Sequence, residues 1–154
     1  SLETIDNDFH ARINAKQKHY RYIIDMGEGN PFKVNYEYQL KRTLNIDEMR
    51  KAMVLFEGEH DFSCFTSKEE DFQQFIRRVD NITLKVEDTH IYLDFYGNGF
   101  MRYMVRMMVG TLIAIGLGKE NIRYISDNLD CKNGRHITSY KAPGQGLYLV
   151  DVKY

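Results

Sequence analysis

The chain has 154 residues, a length that suits one ordinary domain with a sizeable core. Hydrophobic residues make up 43% and charged residues 28%, which excludes a disordered or fibrous protein. The formal net charge of −1 excludes a uniformly basic nucleic-acid binder. The charge is unevenly spread, however. Residues 54–96 carry ten acids and four bases, and residues 97–154 carry eight bases and four acids, so one face can still be basic.

Residues 19–26, HYRYIIDM, are rich in Tyr and Ile and end at the turn Gly27–Pro31, which predicts a strand. Residues 34–41 alternate Val34, Tyr36, Tyr38 and Leu40 with polar neighbours and predict a second, half-buried strand. Asn45 followed by Glu48 reads as a capping box. The helix it opens carries Met49, Ala52, Met53 and Phe56 on one face, and Gly58 ends it. Residues 61–65 read as a connection, and Glu69–Asp71 as a solvated acidic loop.

Residues 76–87 and 90–96 predict a hairpin, with Ile91, Leu93 and Phe95 alternating against Tyr92, Asp94 and Tyr96. Gly97 and Gly99 turn the chain into a long apolar helix, Gly97–Gly118, whose only charges are Arg102 and Arg106. It is not a membrane span, because the uncharged stretch after Arg106 falls well short of about 20 residues. A helix over 120–129, a loop over 130–146 and a strand over 147–154 complete the chain. Strands and helices without a βαβα rhythm predict an α+β fold over 1–154: an antiparallel sheet with helices mainly on one face.

Arg106 poses the sharpest chemical question. A guanidinium keeps its proton inside proteins, so among apolar neighbours it needs an anion. With Arg102 it reads as an i, i+4 pair on one helix. Two accounts stand. One is a structural salt bridge to an acid such as Asp94 or Asp61. The other is an anion site, or a partner for a catalytic carboxylate. Tyr20 and Tyr22, with Arg12, Lys16, Lys18 and Arg21 nearby, could stack bases and meet phosphates. They could equally be ordinary strand residues.

None of His10, His19, His60, His90 and His136 has metal-ligand spacing, and Cys64 and Cys131 make no CxxC pair. Reduced thiols and the lack of a recognisable signal peptide point to the cytoplasm. Gly97-Asn98-Gly99 is a plain connection or a weak anion nest. The first residue is Ser, and a longer natural protein is expected.

Five segments occur in order: Asp8-Phe9-His10-Ala11-Arg12; Lys18-His19-Tyr20-Arg21-Tyr22-Ile23; Gly58 to Phe65, GEHDFSCF; Gly97 to Arg106, GNGFMRYMVR; and Ala142 to Leu149, APGQGLYL. This ordered set closely resembles the C-terminal half of the bacterial tRNA pseudouridine synthase A family, and it covers nearly the whole chain. The resemblance implies an isomerase that converts uridine to pseudouridine in the tRNA anticodon stem-loop, at tRNA positions 38–40, without metal or cofactor. It also implies a cytoplasmic homodimer.

By the same resemblance Tyr20 stacks on the flipped uracil and helps move the C5 proton. Arg106 pairs with the nucleophilic aspartate, Leu147 packs on the target base, and Arg12 lies near the RNA backbone. The family's Gly-Arg-Thr-Asp-Ala-Gly motif does not occur here, and no Asp of this chain replaces its nucleophile. The chain is therefore expected to be inactive alone. The acidic Glu69–Asp71 and Gly144 in place of a usual Ala also depart from the pattern. Two rivals remain: a non-catalytic α+β RNA-binding module, and an interaction domain whose apolar helix is a dimer seam.

Overall fold

The computed structural model describes residues 16–67 and 75–154. Six strands form one sheet: β1 (Gln17–Asp25), β2 (Tyr38–Gln39), β3 (Gly58–Asp61), β4 (Ile76–Glu87), β5 (His90–Gly97) and β6 (Leu147–Lys153). The order is β2-β1-β5-β4-β3, and β6 pairs with β1. All pairings are antiparallel except the two-residue parallel contact of β1 with β2. The expected α+β architecture is present, with this small parallel element added.

Period-two alternation divides the sheet. Tyr22 and Ile24 of β1, Ile82 and Leu84 of β4, and Ile91, Leu93 and Phe95 of β5 are buried on one face. Against them lies helix α2 (Met104–Gly116), with Met104, Met108 and Leu112 fully buried, and then α1 (Ile46–Met53) through Met49 and Ala52. The third helix, α3 (Arg123–Asn128), contributes Ile125. The other sheet face carries Arg21, Tyr92, Asp94 and Tyr96. Along a strand, successive side chains point to opposite faces.

Asn45 starts α1 as expected: its side chain accepts a hydrogen bond from the Glu48 N–H at 3.2 Å. Asp47 and Glu48 lie in the first turn and Arg50 and Lys51 in the last, complementing the helix dipole. α1 approaches α2 closely because Gly116 has no side chain. A Cβ there would sit 2.9 Å from Met49 Sδ.

Three local expectations fail. Residues 34–37 are not strand: Asn30 caps a 3-10 turn, Pro31–Lys33, and leaves Val34 and Tyr36 exposed. Local capping and the proline there override the alternating pattern. The long apolar helix begins only at Met104, because Tyr103 takes a left-handed φ of 62°. Arg102 therefore precedes the helix, and the i, i+4 relation to Arg106 does not exist. Finally, Gly58–Asp61 is a strand, where a helix stop and a connection are expected.

The acidic run Glu69–Asp71 lies outside the described residues. No helix of the described residues is long and apolar enough to cross a membrane.

Asp25 closes β1 with a buried carboxylate. Burial alone would raise its pKa, but hydrogen bonds from the Gly27 N–H and Thr89, with His90 nearby, hold it below the usual carboxylate range. Both bonds are 2.8 Å. A depressed folded value means a contribution present above about pH 4 and lost as pH falls through the folded value. Thermal unfolding measured down an acid series should show a shallower acid limb for Asp25→Asn than for wild type.

Candidate active site

Tyr20 lies on β1, Arg106 in the first turn of α2, and Leu147 at the start of β6. The sheet register brings them together. β1 runs between β5 and β6, with Tyr20 opposite Phe95 on one side and Leu149 on the other, and Tyr22 opposite Leu147. A cleft of about 340 Å³ opens there, lined by Tyr20, Phe100, Tyr103, Val105, Arg106 and Leu147. Three of the four residues expected at the site thus share one cleft. The fourth, Arg12, lies outside the described residues.

Arg106 is held from behind. Its Nε donates to the Ala142 carbonyl at 2.8 Å, and the Ala142 N–H donates to the Arg106 carbonyl at 2.9 Å. This reciprocal pair requires α2 to touch the 140–142 segment, and Gly110 permits it. A Cβ on Gly110 would lie 2.7 Å from the Lys141 nitrogen. The turn Gly144–Gly146 follows, and the Tyr22 hydroxyl donates to the Pro143 carbonyl to pin it.

Neither expected acid meets Arg106. Asp94 lies on the far face of β5, where His19 Nε2 is 2.5 Å and Arg21 Nε 2.9 Å from its Oδ1. Asp61 accepts from the Ser63 N–H at 2.8 Å. Among the described residues Arg106 makes no ion pair, so the structural salt bridge is ruled out there. Its guanidinium is half-buried beside the cleft and stacks on the Tyr103 ring at 4.9 Å.

Tyr103 was not expected at the site. Its ring also receives Arg102 at 4.9 Å and Lys141 at 4.4 Å. The hydrogen bond from Arg102 and its charge, with Lys141 and Arg106 adding, hold the phenol below its usual value. Three cations around one ring make the cleft rim basic although the chain is near neutral. The sequence carried no sign of this, because it depends on the turn at Tyr103 and on Lys141 arriving from a distant segment.

Burial raises the phenol of Tyr20, which therefore stays protonated at neutral pH, and its ring meets Phe100 edge-on at 5.3 Å. Tyr22 does not join it as a stacking platform, since it is fully buried. Arg21 is committed to Asp94 on the opposite face.

Among the described residues one group could hold a metal ion away from the cleft: Asp25, Glu37 and His90 offer ligand atoms within 4.8 Å of one another. His90 Nε2 already lies 3.0 Å from Glu37 Oε1. Sequence spacing could not reveal the group, because Glu37 reaches it from an irregular segment.

The family model of tRNA pseudouridine synthase matches residues 52–154. The chain belongs to the tRNA pseudouridine synthase family. Among its curated relatives, tRNA pseudouridine synthase A of Limosilactobacillus reuteri is 42% identical over 99% of this chain and 60% of the relative. The namesake from Mycoplasmoides gallisepticum is 39% identical over 99% of this chain and 57% of the relative. The tRNA pseudouridine synthase A 1 of Bacillus cereus is 39% identical, over 99% and 62%. The chain thus spans about 60% of the length of these synthases.

Gly144 lies against Arg106, yet an added Cβ would stand 3.5 Å from its Cζ, an ordinary contact. Gly144→Ala should leave stability within about 0.5 kcal/mol of wild type in a denaturant titration.

Proposed function

We propose that these 154 residues form a single domain that contributes one wall of the active site of a tRNA pseudouridine synthase. The synthase isomerises uridine in the anticodon stem-loop, at tRNA positions 38–40. The observation that carries this reading is the convergence of Tyr20, Arg106 and Leu147 on one cleft, with the guanidinium of Arg106 unmatched by any described carboxylate.

In this reading the nucleophilic aspartate comes from a segment not contained in these 154 residues, and Arg106 orients its carboxylate and keeps it ionised. Tyr20 and Leu147 bracket the extruded uracil, replacing the stacking it leaves. The N1–C1′ bond breaks, the base turns, and C5 bonds to C1′. The protonated phenol of Tyr20 lies near the base and can assist transfer of the C5 proton. Arg102, Lys141 and Arg12 meet the RNA backbone. The synthase works in the cytoplasm as a homodimer, with no metal or organic cofactor.

The burial of Tyr22 disfavours the rival of a non-catalytic RNA-binding module, because it removes half of the stacking pair that reading requires. The test incubates this chain alone with an unmodified anticodon stem-loop tritiated at uridine C5. Background release is expected, and release well above background would overturn the proposed division of the site.

A further inference from the structure

The chain has two cysteines, and the cleft uses neither. Cys64 and Cys131 are 67 residues apart in sequence, yet their Sγ atoms lie 3.5 Å apart. Cys64 sits in the 3-10 turn Ser63–Phe65 and is fully buried. Cys131 ends the turn Leu129–Cys131 and is partly exposed. A disulfide requires about 2.05 Å, so the sulfurs need only a modest approach.

The two thiols are chemically unequal. Ser63 Oγ lies 2.6 Å from Cys131 Sγ. Burial pushes the Cys64 thiol up. Cys131, the partly exposed residue, is the one a solution oxidant meets first, and the buried Cys64 waits behind it.

We propose that Cys64 and Cys131 are a reversible oxidation site that takes a peroxide as its oxidant. The Cys131 thiolate attacks the O–O bond of the peroxide. A new S–O bond leaves sulfenic acid, and the expelled hydroxide recovers as water the proton the thiol gave up. The Cys64 sulfur then attacks the Cys131 sulfur. The S–S bond forms, the S–O bond breaks, and hydroxide leaves as water with the Cys64 proton. Two thiols lose two electrons, and one hydrogen peroxide becomes two waters.

The bond would anchor to Cys131 a segment that touches two supports of the cleft. The Cys64 carbonyl accepts from the Thr138 N–H at 2.9 Å, on the segment that leads to Lys141 and Ala142. Two residues past Cys64, the Thr66 hydroxyl donates to the Arg102 carbonyl at 2.8 Å. The inference stands apart from the catalytic reading and would survive its failure.

The test treats the reduced chain with hydrogen peroxide, then counts thiols after denaturation and measures the intact mass. The expected result is a fall from two free thiols to none, a mass lower by two hydrogens, and monomeric migration without reductant. Dithiothreitol should reverse all three, and the oxidised chain should melt higher than the reduced one. Cys64→Ala should stop at a Cys131 sulfenic acid that dimedone captures. The wild-type mass decides the matter even if that variant does not fold. Two surviving thiols, oxygen gain without hydrogen loss, or a disulfide between chains would overturn the proposal.

Discussion

Arg106→Met is expected to cost about 3 kcal/mol of transition-state stabilisation, roughly a hundredfold in kcat/KM, in the synthase of which we propose this chain is part. The cost arises because the aspartate is left without its counter-charge in a closed pocket. In this chain alone the same change removes one hydrogen bond, to Ala142, and a stack on Tyr103. Stability should fall by only about 1 kcal/mol. The disparity is the diagnostic feature. A structural salt bridge would make the stability loss large, whereas a positioning role makes the kinetic loss large. Steady-state kinetics beside denaturant unfolding separates the two.

Gly110→Val should have the largest effect on folding. A Cβ at 110 would lie 2.7 Å from the Lys141 nitrogen and 2.9 Å from its Cα, and these are backbone atoms that cannot rotate away. The 140–142 segment must leave α2, and the reciprocal bonds between Arg106 and Ala142 go with it. Overpacking of this kind costs about 3 kcal/mol, which denaturant unfolding would read directly. The variant should also lose activity beyond its lost stability, because both the guanidinium and Lys141 are displaced. Gly110→Ala should show a smaller loss of the same sign.

The contrast with Gly144→Ala shows what glycine does in this site. Gly110 abuts the backbone of Lys141, whereas Gly144 abuts the Arg106 guanidinium at ordinary distance. Only the first is required by space.

Much of the fold was legible because its signals are local and strong. The hairpin 76–87 and 90–96 matches β4 and β5 almost residue for residue, and Asn45 caps its helix as expected. Of the expected 34–41 strand only Tyr38–Gln39 pairs, because a capped turn competes with alternation over so short a run. The partner of Arg106 could have been narrowed from sequence. Leu93 and Phe95 point to the helices, so Asp94 between them must point away, toward His19 and Arg21. The same period applies to Tyr22: two residues from Tyr20 it shares its face, but it is fully buried against the 143–146 turn.

What could not be read was long-range. Lys141 over Tyr103 and the meeting of Cys64 with Cys131 each join segments separated by at least 38 residues, and no periodicity reports such contacts. The roles proposed for Tyr20, Arg106 and Leu147 rest on the ordered motifs of a family. Their common cleft is what the fold adds.

The most direct test of the catalytic reading is tritium release from C5-labelled uridine in tRNA, using the complete synthase with wild-type Tyr20 beside Tyr20→Ala. The account predicts release from the anticodon stem-loop by the wild type and background release by the variant, with tRNA binding retained. Wild-type turnover in Tyr20→Ala, or no release by the wild type, would contradict it.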